Sequence, residues 1–262
     1  MARLLITGAS GQLGSVLRDA EPRLATVLRL FDRQPIEALK GEELVLGDIR
    51  NLDDMMAATD GIDAVVHLAG IPTEPSMPSD ASVAELMDTN IRGTYNVFES
   101  ARRSGCARVV FASTNHVTGY HPVQSMIGPE TSLAPDSYYA VTKTFGEALG
   151  RLYHDKYGLD VICIRIGSCR RQPLETRHLS TWLSYGDFTS LVRCCLTARG
   201  LGYLVTYGVS ANTRTWWLDP SWERLGYRPQ DNAEDFAERF HATELFRFQG
   251  GAVADAKSRS GY

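Results

Sequence analysis

Arg3-Leu4-Leu5-Ile6-Thr7-Gly8-Ala9-Ser10-Gly11-Gln12-Leu13-Gly14 stands at the start of the sequence and carries the strongest fold signal in it. A short apolar strand runs straight into a glycine turn and then into a helix. Gly8 permits the tight turn, Gly11 lets backbone approach a phosphate, and Gly14 allows close helix–strand packing. Such a turn sets a dinucleotide pyrophosphate on a helix N-terminus, with Gln12 and Leu13 in the same cradle. Three glycines alone are common in turns. Their place between strand and helix gives this set its meaning.

Outward from that turn, short apolar runs alternate with helical patterns. Strands are expected at 3–7, 27–32, 43–47, 64–69, 108–113 and 160–166, and a further one at 203–207. Helices are expected at 12–19, 83–104, 137–157, 187–198 and 233–245. Runs as apolar as Ala-Val-Val-His-Leu-Ala at 64–69 fit strands covered on both faces. The alternation predicts an α/β fold, a doubly wound Rossmann-type parallel sheet with a small C-terminal substrate-covering portion. We expect a single domain over 1–262, with that portion, roughly 168–262, packed on it.

Asp32 ends the second strand, eighteen residues past Gly14. A carboxylate there accepts both ribose hydroxyls of NAD and repels a 2′-phosphate. Arg33, next to it, softens that preference. Asp48, before Ile49, is placed to meet the adenine amino group. Leu68-Ala69-Gly70-Ile71 ends the fourth strand with small residues that let a cofactor pass close.

Tyr139 and Lys143 are four apart in a helical stretch, so both lie on one face. A free tyrosine, with a pKa of about 10, is a poor base at neutral pH. A nearby ammonium and a positive nicotinamide ring both favour phenolate. A hydroxyl from Ser113 or Thr114 at the end of the fifth strand would hydrogen-bond a substrate oxygen and its developing charge. Together these groups point to hydride transfer. His67, inside an apolar strand, reads as a satisfied core histidine. His116 reads equally as a loop-orienting residue or an incidental one. Trp216-Trp217 reads as packing.

The chain has 262 residues, 44% hydrophobic and 22% charged, ordinary for a soluble globular protein. A net charge of −4 argues against a nucleic-acid surface. No apolar run approaches the length of a membrane span, and a strand starting at Arg3 leaves no room for a signal peptide. Five cysteines without a C-x-x-C pair fit reduced thiols in a cytoplasm. No histidine–carboxylate cluster has metal-ligand spacing, so no metal is expected. We expect a homo-oligomer.

These residues together resemble the extended short-chain dehydrogenase/reductase superfamily over roughly 2–166. Further blocks narrow the resemblance to the uronate dehydrogenases over nearly the whole chain. They are Val110-Phe-Ala-Ser-Thr-Asn-His116, Arg165-Ile-Gly-Ser-Cys169, Leu179-Ser-Thr-Trp182, Gly208-Val-Ser-Ala-Asn212, Asp231-Asn-Ala-Glu234 and Phe246-Arg-Phe-Gln-Gly-Gly251. The resemblance implies oxidation of the anomeric carbon of a cyclic hexuronate, glucuronate or galacturonate, by NAD⁺ to an aldarolactone. It implies Tyr139 as base and Lys143 as its tuner. Ser113, Thr114 and Asn115 match a substrate-contacting run, with Thr114 where the family commonly has Ser. Counting back from Gly119 puts the catalytic hydroxyl at Thr114, with Ser113 close behind. Ser168 matches a residue near nicotinamide and substrate, Arg177 an arginine for the uronate carboxylate, and Asn90 an asparagine that shapes the active-site helix and its proton relay. Pro72 stands where a serine reaches substrate, which makes Thr73 the substitute contact. Arg170-Arg171 adds charge nearby. A nucleotide-sugar epimerase or reductase of the same superfamily is the competing reading, disfavoured by the short chain left after Ser168. A non-catalytic NAD(P)-binding regulator is disfavoured because the Tyr/Lys pair is kept.

Overall fold

Alternate residues of each strand feed two separate cores, and that parity builds the molecule. The computed structural model describes residues 1–72, 79–240 and 246–255. In chain order the first half runs β1 (Arg3–Thr7), α1 (Gln12–Arg18), β2 (Val27–Asp32), β3 (Glu42–Leu46), α2 (Leu52–Thr59), β4 (Ala64–His67), α3 (Asp80–Met87), α4 (Gly93–Arg103) and β5 (Arg108–Thr114). Then follow α5 (Tyr138–Tyr157), β6 (Asp160–Ile166), β7 (Ser168–Cys169), α6 (His178–Thr181), β8 (Trp182–Leu183), α7 (Tyr185–Thr197), β9 (Tyr203–Gly208), α8 (Ser221–Leu225) and α9 (Ala252–Asp255).

Seven strands form one sheet in the order β3-β2-β1-β4-β5-β6-β9, and every pairing is parallel. Leu4, Ile6, Leu28, Leu30, Val66 and Ile164 lie on the face covered by α1 and α7, in one cluster with Leu17, Phe188, Leu191 and Cys195. Leu5, Phe31, Val65, Val109, Phe111 and Cys163 face α2, α4 and α5, packing on Met55, Val97, Phe98 and Leu149. Covering both faces explains why the strands read as continuous apolar runs. The chain leaves β1 for β2 on one side and later returns to β4 on the other. Their carboxyl ends therefore diverge into a crevice, where ligands sit in this class of sheet.

Two elements differ from expectation. The helix expected at 83–104 is interrupted by a wider π turn, Asp88–Arg92, between α3 and α4. That turn carries Asn90, and such bulges recur at functional sites. The helix expected at 233–245 is a 3₁₀ helix, Ala233–Arg239, with 241–245 outside the described residues. The last strand, β9, joins the sheet in register with β6 (Ile162 beside Leu204). Among the described residues, no helix is long and apolar enough to cross a membrane.

Candidate active site

The carboxyl ends of the central strands open onto one groove made of two joined cavities, of 580 and 420 Å³. The first lies over the glycine turn and is lined by Gly8, Gly11, Gln12, Leu13, Gly14, Asp32, Arg33, Asp48, Ile49, Leu68, Ala69, Gly70 and Ile71. The second lies over the start of α5 and is lined by Ser113, Thr114, Asn115, His116, Tyr139, Lys143, Ser168 and Arg177. Leu68, Gly70, Ile71 and Gly167 border both.

The turn needs its glycines. Gly8 has φ +72°, and a Cβ there would sit 2.7 Å from the Ala69 nitrogen. A Cβ on Gly14 would sit 2.5 Å from the Gly8 carbonyl oxygen. Asp32 closes the far side of the turn, accepting from the backbone N–H of Ser10 (2.9 Å) and of Gln34 (3.0 Å). Gln12 bridges away from the turn, donating to the Cys169 carbonyl (2.9 Å) and to the Tyr185 hydroxyl (3.0 Å). Asp48 is gripped by Arg50, Nη2 to Oδ2 at 2.6 Å, which holds its carboxyl below the usual range. Its side chain is thus already engaged, and Arg50 joins it to Asp88.

At the other end, Ser137 caps α5 by accepting from the Ala140 N–H, which starts the helix at Tyr138 and brings Tyr139 and Lys143 to the strand tips. The Tyr139 hydroxyl hydrogen-bonds Thr114. Ser113 points elsewhere, its Oγ donating to the buried Glu147 at 2.6 Å. Glu147 in turn is paired with the buried Arg165 at 2.9 Å. Of the two hydroxyls, Thr114 is the one that meets Tyr139, because the pleat turns successive side chains apart. Ser113 belongs to the ion pair behind the site.

Lys143 is only 5% exposed, with its Nζ 5.0 Å from the Phe111 ring centre and 5.7 Å from that of Tyr139. Burial pushes its ammonium down to about 8. Burial pushes the Tyr139 phenol up to about 12, against the pull of the Thr114 hydrogen bond. Loss of water, and not the nearby Lys143, therefore sets the direction at Tyr139 in the protein alone. Lys143→Met tests the cost. Unfolded lysine titrates near 10.5 and the folded group near 8, so the unfolded chain binds more protons between them. Wild-type stability then rises with pH across that window. The Met variant should melt higher at pH 7, by on the order of 3 kcal/mol of stability, with the advantage shrinking above pH 8. Equal melting temperatures at pH 7 would contradict the buried charge.

Asn90 ties the π turn to the β4 tip. Its Oδ1 accepts from the Ile71 N–H (2.8 Å), and its Nδ2 donates to the Ile71 carbonyl (3.0 Å) and to Thr142 on α5 (3.1 Å). It lies beneath the groove, 2% exposed. His67 is fully buried and hydrogen-bonded by Thr7 (2.8 Å) and Thr94 (3.2 Å), and its pKa falls to about 3, as suits a neutral core histidine.

Arg177 precedes α6 and is 8% exposed. Its Nη2 donates to Asn115 Oδ1 (2.7 Å), its Nε to the Gln249 carbonyl (2.8 Å), and its Nη1 lies 3.4 Å from Ser168 Oγ. These partners are all neutral, and burial pushes its pKa down. Arg170 and Arg171 are exposed. Thr73 lies outside the described residues. Three groups escaped the sequence reading. Asp136 is fully buried and holds His116 at 2.7 Å, Glu147 with Arg165 backs β5, and Gln249 meets Arg177. A lone Asp, Glu or Gln carries no local signal of such distant pairing.

A glycine crossover turn joined to a Tyr–Lys–Thr cluster on one groove defines a nucleotide-dependent oxidoreductase class. The matching family model is the NAD dependent epimerase/dehydratase family, over residues 4–170. The chain is 42% identical to a uronate dehydrogenase of Agrobacterium fabrum, with 97% of each chain covered. It is 37% identical to one of Pseudomonas putida, over 97% of this chain and 96% of that one. A crystal structure of a mutant uronate dehydrogenase from Agrobacterium tumefaciens complexed with NAD superposes with a TM-score of 0.91 at 41% identity, covering 98% of both chains. The chain belongs to the uronate dehydrogenase family.

Proposed function

We propose that the protein oxidises C1 of a cyclic hexuronate to the lactone, with NAD⁺ as acceptor. The observation that carries this reading is one cavity holding both the Tyr139–Thr114 hydroxyl pair and a buried arginine whose hydrogen-bond partners are all neutral. The first suits a reacting hydroxyl, and the second, on which Glu175 and Asp136 act only through space, supports an anionic group on the substrate. Uronate dehydrogenase relatives and their NAD complex support it.

The groove suits a dinucleotide because the turn at Gly8 and Gly14 has no room for side chains, so a phosphate can approach the N-terminus of α1 closely. Gly70, where an added Cβ would lie 2.9 Å from Asn90 Oδ1, leaves room for Asn90 and keeps the border between the two cavities free of a side chain. NAD⁺ held there would supply the hydride acceptor. Thr114 and Tyr139 hold the anomeric hydroxyl. Tyr139 takes its proton as the C1–H bonding pair leaves and the C1–O bond becomes a carbonyl. Lys143 holds positive charge against the phenolate and steadies the nicotinamide ribose. Arg177 orients the ring by its carboxylate, for which a guanidinium fork is well matched.

Asp32 sets the cofactor preference, repelling a 2′-phosphate. Asp32→Ala should relax the preference for NAD over NADP, with Arg33 left as a phosphate partner. The ratio of kcat/KM values for the two cofactors measures it, and an unchanged ratio places discrimination elsewhere. The function itself is tested by following reduced cofactor with hexuronates, neutral hexoses and nucleotide sugars offered side by side. Among these, only a hexuronate should support rapid turnover.

A further inference from the structure

The block Phe246-Arg-Phe-Gln-Gly-Gly251 performs no step of the chemistry above, yet its Gly250 lines the cavity over α5. It pairs with the segment after β5, with Phe248 bridged to Pro122, Val123 N–H donating to the Arg247 carbonyl (3.1 Å), Gln249 N–H to His121 (2.8 Å) and Gly250 N–H to Gly119 (2.8 Å). Gln249 is 1% exposed. Its side chain is saturated, accepting from Trp217 Nε1 (2.9 Å) and donating to the carbonyls of Ser125 (2.8 Å) and Pro122 (3.2 Å). Trp217 is itself stacked on Tyr207 at 4.7 Å. This fixes the Gln249 backbone, whose carbonyl accepts from Arg177 Nε. Two residues on, Gly251 has φ +66°, and a Cβ there would sit 2.6 Å from Arg177 Cδ and 3.0 Å from Nε.

We propose that this C-terminal strap sets the aim of Arg177 and that Gln249 is a positioning residue for recognition of the substrate carboxylate. The proposal rests on the reading of Arg177 as that carboxylate's partner. The physical need is plain. Arginine has a long flexible stem, and α6 is only four residues long. A bond at Nε fixes the plane of the fork, and the Asn115 bond at Nη2 fixes its rotation. The strap also seats the other polar wall of the cavity. Asp136, which holds His116, lies where a Cβ on either Gly119 or Gly250 would come within 1.9 Å of its Oδ2. Strap and pocket are therefore cut to fit each other.

Two variants test it from different directions. Gln249→Met removes the three side-chain bonds at similar volume, and Gly251→Ala pushes on the Arg177 stem while leaving those bonds alone. Arg177→Ala runs in parallel. KM and kcat are measured for glucuronate and galacturonate, kcat/KM for the parent neutral hexoses, and KM for NAD⁺. A displaced fork weakens uronate binding selectively, so uronate KM should rise about fivefold or more in both strap variants with kcat little changed. KM for NAD⁺ should stay put and the uronate-to-hexose ratio should fall. If Gln249→Met does not fold, Gly251→Ala alone decides. The proposal is overturned if Arg177→Ala raises uronate KM while the folded strap variants keep the wild-type ratio, or lose activity equally on both sugar types. If Arg177→Ala itself leaves uronate KM unchanged, the reading beneath the proposal fails and takes the proposal with it.

Discussion

Tyr139→Phe should lower kcat by about 10²–10⁴, the usual cost of losing a general base, while fold and NAD⁺ affinity persist. The ring packs as before, since only the hydroxyl bonded to Thr114 is removed. What remains is a site that binds both substrates with nowhere to send the anomeric proton. Stopped or residual turnover with intact cofactor binding, measured by titration, is the expected pair of results. Retention of more than about a tenth of wild-type kcat would assign the proton transfer to another group. Thr114→Val is the companion variant. It removes the second hydroxyl at nearly constant shape and should give a smaller loss. Ser113→Ala should act through stability instead, because its hydroxyl serves Glu147.

Arg177→Ala should raise KM for glucuronate or galacturonate at least about tenfold, since a charge-assisted pair contributes about 1.5–3 kcal/mol. Breaking it strands the substrate carboxylate in a buried place, which adds to the cost. NAD⁺ affinity should change much less, because Arg177 lines the cavity over α5 and not the one over the glycine turn. Discrimination against glucose and galactose should shrink as well. Arg177 also bonds Asn115 and the strap, so Arg177→Lys is the control. It keeps the charge, loses the fork and should fall between wild type and alanine. Uronate KM within about twofold of wild type in Arg177→Ala, with a rise in Arg170→Ala or Arg171→Ala, moves the contact to the exposed pair.

The sheet was legible because parallel strands buried on both faces leave unbroken apolar runs, and β2 and β6 begin and end where such runs do. The glycine turn and the Tyr139/Lys143 spacing were legible for the same reason, since their partners lie within one element or one turn. What stayed hidden depends on contacts far apart in the chain. His116 and Asp136 are 20 residues apart, and Arg177 and Gln249 are 72 apart. Ser113 and Thr114 differ by which way the pleat turns at a strand end, and the partner of Ser113, Glu147, comes from the next helix. The π turn at Asn90 has no composition of its own. Its Asn90 bonds Ile71 and Thr142, both far along the chain. Nor does a sequence show whether burial or a neighbouring ammonium governs a phenol, and at Tyr139 burial governs.

Net oxidation of the hexuronate C1 is read directly from the balance of reduced cofactor and sugar product. Purified protein is mixed with NAD⁺ and galacturonate or glucuronate, reduced cofactor is followed by absorbance, and the sugar product is identified by NMR. The expected result is one reduced cofactor formed for each lactone, with the rate lost in Tyr139→Phe. Absence of reduced cofactor with either uronate, together with conversion of a nucleotide sugar without net reduction of NAD⁺, would contradict the account.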